Sequence, residues 1–132
     1  MAYLKPASFT QKIFNPIAMR LGLGGATRLT VPGRRSGQPQ EIPVIPVEHE
    51  GSRYLVSTRG ESAWVKNVRA AGEVTLGKRG KETALRAEEL PVEERPPVIA
   101  AYRTTAGKTV EGYWKKLPEP EDHPVFRLVP SA

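Results

Sequence analysis

Arg28-Leu29-Thr30-Val31-Pro32-Gly33-Arg34-Arg35-Ser36-Gly37-Gln38-Pro39-Gln40-Glu41-Ile42-Pro43-Val44 is the stretch whose reading decides the fold. Leu29 and Val31 alternate with Arg28 and Thr30, the period-two pattern of a strand with one buried face. Ile42, Val44 and Ile45 open a second strand, which the pattern carries to about Glu48. Pro43 and Pro46 have no N–H to donate, so this strand belongs at a sheet edge or carries a bulge. Between the two lies Gly33-Arg34-Arg35-Ser36-Gly37. Glycine permits positive φ and close backbone approach, and successive N–H groups in such a turn can converge as an anion-binding nest. The two guanidiniums add bidentate, charge-assisted donors suited to phosphate or carboxylate. Two readings stand at this point: a small-molecule phosphate cradle, or an ordinary basic hairpin with solvated arginines.

Working outward, 132 residues suit one domain with a real core. Hydrophobic residues make up 39% and charged residues 26%, a balance that excludes a disordered chain. The 20 Lys and Arg outnumber 14 Asp and Glu, for a net charge of +6. That excess favours an acidic partner: nucleic acid, an anionic membrane surface or a polyanionic cofactor. With no cysteine there is no disulfide framework, thiolate metal site or thiol nucleophile, and the cytoplasm is the expected compartment. No apolar run reaches the roughly 20 residues of a membrane span. Gln11, Lys12, Asn15 and Pro16 interrupt the N-terminal apolar stretch, so it lacks a secretory core.

The 13 prolines favour many short elements. Ser8 is expected to cap a helix carrying Phe9, Ile13 and Phe14. Asn15-Pro16 restarts one with Ile17, Ala18 and Leu21, which Gly22 to Gly25 ends. This helical segment, residues 1–26, packs on the core or, alternatively, acts as a lid or a peripheral membrane contact. Beyond the hairpin, Tyr54 to Ser57, Val74 to Leu76, Thr83 to Glu89 and His123 to Val129 read as strands. His49 to Gly51 is a turn, and Gly77 to Lys81 a basic hairpin tip. Ser62 is expected to cap a helix from Ala63 to Ala71 that Gly72 closes. Its buried stripe is Trp64, Val65 and Val68, leaving Lys66, Asn67 and Arg69 off the stripe. Glu93-Glu94 suits the first turn of another helix, with Val98, Ile99 and Tyr102 facing the core and Gly107 stopping it. A short helical piece follows from Val110 to Lys116, then a loop from Pro118 to Asp122. About six short strands, one crossing helix and others at the side imply one mainly-β domain, a small closed β-barrel with added helices.

Obvious reactive side chains are missing. His49 and His123 have no metal-ligand spacing and read as a turn residue and a strand start. No serine sits in a nucleophile elbow. Lys78-Arg79-Gly80-Lys81 lacks the interleaved aromatics of a strand-binding platform, so nucleic acid is not the expected partner. Positive charge, glycine turns and apolar walls without a catalytic group are what a protein offers when a cofactor carries the chemistry.

Gly33-Arg34-Arg35-Ser36-Gly37, then Ile42-Pro43-Val44, Leu55-Val56-Ser57, Ala63-Trp64, Asn67 and Arg69-Ala70 together resemble the deazaflavin-dependent nitroreductase family over about Leu21 to Leu76. The resemblance implies a split β-barrel, residues 27–132, that binds coenzyme F420, an 8-hydroxy-5-deazaflavin with a phosphate and an oligoglutamate tail. It implies hydride transfer from the reduced coenzyme to a small-molecule acceptor: a quinone, nitro compound or activated alkene. On this resemblance Gly33, Arg34, Arg35, Ser36 and Gly37 hold the phosphate and tail. Ile42, Pro43 and Val44 line the ring face, and Ser57, Thr58 and Arg59 meet its edge. Lys66, Asn67 and Arg69 are candidates for tail or rim contacts, and Tyr102, Tyr113 and Trp114 for substrate. No metal and no proton donor are assigned. The chain departs from the family pattern at Gln40, where many relatives carry Arg, and in a shortened Thr58 to Ser62 segment. The rival readings are an FMN-binding split-barrel protein, a non-catalytic carrier of the cofactor or of a hydrophobic ligand, and a basic nucleic-acid-binding barrel. Monomer and homodimer are both open.

Overall fold

The computed structural model describes residues 27–77 and 80–131. The helical segment expected at residues 1–26 lies outside the described residues, as do Lys78 and Arg79 of the basic tip. Seven strands, β1 (Thr27–Pro32), β2 (Pro39–Val44), β3 (Val47–His49), β4 (Ser52–Val56), β5 (Glu73–Leu76), β6 (Thr83–Glu89) and β7 (Val125–Pro130), form one sheet. Their order is β2-β1-β5-β6-β7-β4-β3, with every pairing antiparallel.

That order forces the sheet to curl. β2 and β3 occupy opposite edges, yet only Ile45 and Pro46 separate them. Three Cα steps from Val44 to Val47 span at most about 11 Å. In a flat sheet, six inter-strand spacings of about 4.8 Å would hold the edges roughly 29 Å apart. The edges must therefore approach one another, closing a barrel that stays split between β2 and β3. The expected strand through Glu48 is thus two strands, and the count is seven rather than six. The physical cause is Pro46: without an N–H it cannot extend the ladder, and the chain crosses from one edge to the other there.

Helix α1 (Ala63–Ala71) sits over the barrel with Val65, Asn67 and Val68 buried. Gly72 ends it at φ 74°, donating its N–H to the Val68 carbonyl at 2.7 Å. Left-handed φ there suits glycine, as the sequence indicates. Ser62 occupies the N-cap position but makes no side-chain capping bond, and its buried Oγ has no partner among the described residues. Glu93 and Glu94 form a 3-10 turn (Val92–Glu94) that leads into α2 (Arg95–Ala106). Pro96 and Pro97 fall in the first turn of α2, where a missing N–H removes no intrahelical bond. Gly107, at φ 73°, separates α2 from α3 (Lys108–Lys116). The expected loop after α3 contains a 3-10 turn at Pro120–Asp122.

Two apolar clusters hold the fold. Leu29, Val31, Leu55, Val65, Val68 and Phe126 fill the barrel beneath α1. Val56, Val98, Ile99, Tyr102, Val110 and Trp114 join α2 and α3 to β4. Each such side chain contributes about 1.5–3 kcal/mol when fully buried. Among the described residues no helix is long and apolar enough to cross a membrane.

Candidate functional site

The glycine-flanked hairpin is held shut by its own backbone. Gly33 N–H donates to the Gln38 carbonyl at 2.8 Å, and Gly37 N–H to the Gly33 carbonyl at 2.9 Å. Gln38 N–H donates to Ser36 Oγ at 3.1 Å. Of the two flanking glycines only Gly37 uses the positive-φ freedom, at 75°; a Cβ at Gly33 would sit 3.1 Å from Ser36 Oγ, a contact that a small shift of that hydroxyl relieves. With the amides of Gly33, Arg34 and Gly37 already bonded, the expected backbone nest is largely spent. The anion-binding capacity lies in the guanidiniums instead.

Asn67 explains how they are presented. It is 6% exposed, and its Oδ1 accepts from Arg34 N–H at 3.1 Å and from Arg34 Nη1 at 2.9 Å. Arg34 Nη1 also reaches the Ala63 carbonyl at 3.5 Å. The hairpin is thereby fastened to the first turn of α1, while Nε and Nη2 of Arg34 bond to none of the described residues. Arg35 is exposed and pairs with no described residue. A polar residue taken from sequence to lie off the helix stripe is thus the buried anchor of the turn.

From the hairpin, β2 leads to a cavity of about 260 Å³ lined by Pro43, Val44, Ile45, Leu55, Val56, Thr58, Trp64 and Tyr102. Five residue steps lead from Gln38 to Pro43, about 17 Å at strand rise. Ile42 and Val44 pack inward with Trp64 on the barrel core. Trp64, read as a core residue, does both jobs: it lies 6.0 Å from the Phe126 ring and walls the cavity. Tyr102 is buried, and burial, with Tyr113 adding to it, pushes its phenol up to about 12. It stays protonated at neutral pH and keeps its hydroxyl as a donor. A second concavity of about 390 Å³ is walled by Thr27, Glu48, Arg53, Lys81 and Thr83 among others, and none of the sequence-predicted site residues lines it.

The remaining candidates divide. Thr58 reaches the cavity, but Ser57 is fully engaged, its hydroxyl donating to the Gly60 carbonyl at 2.6 Å and its N–H to Pro124 at 2.9 Å. Arg59 donates to Tyr113 Oη at 3.0 Å, with its guanidinium 5.4 Å from that ring. Tyr113 and Trp114 do not wall the cavity; Trp114 is 4% exposed within the second cluster. Lys66 is exposed and pairs with no described residue. Arg69 is committed elsewhere, donating to Glu61 at 2.9 Å and to both oxygens of Glu89 at 2.7 Å. The Arg69 bonds hold the Glu61 carboxyl below its ordinary value despite burial. Arg95 extends this network to Glu89 at 3.3 Å, and burial draws its guanidinium down. Sequence reasoning missed Glu61, whose only signal is an acid eight residues before an arginine. It also missed the burial of His123.

Comparison with known proteins bears on the fold and the family. A family model described as F420H(2)-dependent quinone reductase matches residues 7–117. Among solved structures, an F420-H2 dependent reductase, FDR-A, is similar at 26% identity, covering 78% of this chain and 92% of its own, with TM-score 0.61. A domain-swapped dimer is similar at 23% identity, covering 94% and 99%, with TM-score 0.61. HutZ, a heme storage protein from Vibrio cholerae, shares the fold at 12% identity, covering 91% and 92%, also with TM-score 0.61. No curated protein matches the chain. The family match spans most of the sequence, and the chain therefore belongs to the F420H(2)-dependent quinone reductase family as an oxidoreductase of the deazaflavin type.

Proposed function

We propose that the cavity takes the deazaflavin ring of F420H2 and that Arg34 and Arg35 hold its phosphate and tail carboxylates. The observation that carries this reading is the pairing of an apolar cavity with open guanidinium donors at the far end of one strand. Both suit the coenzyme. Among the described residues the walls are mostly apolar side chains, with hydroxyl-bearing residues at Thr58 and Tyr102. The free nitrogens of Arg34 and the whole fork of Arg35 match anionic oxygens. When bound, the reduced coenzyme supplies the hydride. The chain's part is to bind and orient: Val44 and Trp64 flank the ring, and Thr58 meets its edge. The Tyr102 phenol faces a flat, electron-poor acceptor placed over the ring. A quinone is the first candidate, with nitro compounds and activated alkenes open to the same chemistry. Catalysis then rests on proximity and exclusion of water rather than on a protein nucleophile.

Titration of the full chain with F420, followed by the coenzyme's fluorescence and with FMN as control, tests the proposal. Saturable F420 binding, weaker FMN binding and quinone-dependent oxidation of F420H2 are expected. Equal or tighter FMN binding overturns the coenzyme assignment, and F420 binding without turnover leaves only a carrier.

A further inference from the structure

The chemistry above makes no use of His123, which is 0% exposed. Its Nδ1 lies 2.7 Å from the Ser57 carbonyl oxygen, and its Nε2 lies 2.6 Å from that of Leu117. Both partners only accept. Each ring nitrogen thus faces a main-chain acceptor, and a ring N–H can be given to either. Trp114 stacks on the ring face, centroids 4.1 Å apart and planes within 12°.

Each carbonyl belongs to a segment carrying residues singled out in the sequence, Thr58 and Arg59 on one and Tyr113 and Trp114 on the other. Ser57 follows β4 and begins the loop bearing Thr58 and Arg59, and its N–H is already tied to Pro124 at 2.9 Å. Residues 123 and 124 thus grip the Ser57 residue through both of its backbone polar groups. Leu117 caps α3 and donates to the Tyr113 carbonyl at 2.8 Å. The Arg59 to Tyr113 bond of 3.0 Å then joins the two segments at the surface.

We propose that His123 is a positioning residue: bridging the Ser57 and Leu117 carbonyls with its two ring nitrogens, it fixes the loop of residues 57–60 against the C-terminal end of α3. It thereby holds Thr58 at the cavity wall and Arg59 on Tyr113. A histidine retained only for packing has no need to meet a carbonyl at each nitrogen. The proposal rests on the cavity being the coenzyme site, and its test separates the two.

His123→Asn keeps an amide donor near the Nδ1 position, and so the Ser57 bond. His123→Gln keeps one near Nε2, and so the Leu117 bond. Hydrogen exchange on the ligand-free full chain reads each half. In H123Q, exchange over residues 57–62 should quicken about tenfold, the scale of one unmet buried acceptor, while residues 113–118 stay near wild type. H123N should do the reverse, and residues 33–38 should change in neither. The Kd for F420 should rise about tenfold in H123Q and by about threefold or less in H123N. Val74→Ala, a core truncation on β5, should lower stability without either pattern. Equal loosening of both segments in both variants, no loosening, or an unchanged Kd in H123Q overturns the proposal. If wild type does not bind F420, the proposed function falls, and the exchange pattern alone decides the role of His123. Should one variant fail to fold, the other carries the test.

Discussion

Asn67→Ala should release the hairpin without emptying the barrel. Asn67 Oδ1 accepts two bonds from Arg34, one from the amide at 3.1 Å and one from the guanidinium at 2.9 Å. A neutral bond of this kind is worth about 1 kcal/mol, and a charge-assisted one about 1.5–3. Arg34 is exposed, so solvent screening brings the second down to about 1 kcal/mol. The sum is about 2 kcal/mol, or roughly a thirtyfold increase in local opening of residues 33–38. The melting temperature should fall by about 6 °C. Hydrogen exchange across residues 33–38 reads the opening directly, and a coenzyme titration reads its consequence. Asn67→Asp supplies the decisive contrast. It keeps the acceptor, so exchange should remain near wild type, but its charge neutralises Arg34 and F420 binding should weaken. Exchange in Asn67→Ala within about twofold of wild type would refute the reasoning, because the anchor would then carry no energy.

Further outcomes follow from the same geometry. Gly37→Ala, at φ 75° with open space around a new Cβ, should cost about 1 kcal/mol of stability in a thermal melt. Gly33→Ala should cost less, because only the flexible Ser36 hydroxyl must move. Glu61→Gln should cost about 1.5 kcal/mol at neutral pH, a buried-pair value discounted because the Arg69 side chain is 33% exposed. Since Arg69 holds the Glu61 carboxyl below its ordinary 4.5, the wild-type pair stabilises the fold above that value. This contribution fades as pH falls through the folded-state value, so acid melts should show wild type and Glu61→Gln converging. Parallel curves across that range would contradict the pairing.

The parts legible in the sequence are those set by local rules. Leu29 and Val31 announce β1 because a two-residue period needs no knowledge of the rest of the chain. Gly72 and Gly107 mark helix ends through their own left-handed backbone. Motif order singles out the hairpin from Gly33 to Gly37, Val44 and Thr58, whereas Tyr102 enters as a C-terminal tyrosine beyond those motifs. What escaped depends on distant partners. The crossing at Ile45 and Pro46 becomes visible only when β3 pairs with β4 and β2 with β1. Asn67 falls off the helix stripe because a stripe analysis counts apolar residues, whereas its burial is satisfied by Arg34, 33 residues away. His123 meets a carbonyl 66 residues away, a contact that leaves no side-chain pattern to read. Arg69 and Arg34 look alike in sequence; the acids beside Arg69 alone distinguish them.

The central claim is that an arginine hairpin grips the anionic end of the coenzyme while the cavity holds its ring. The most direct measurement is a double cycle of Kd values by coenzyme fluorescence. It compares F420 with an analogue lacking phosphate and tail, on wild type and on the Arg34→Ala, Arg35→Ala variant. Wild type should lose several kcal/mol on removal of the tail, at about 1.5–3 per charge-assisted bond, and the variant should lose almost none. An equal loss in both proteins would place the anionic end elsewhere and contradict the account.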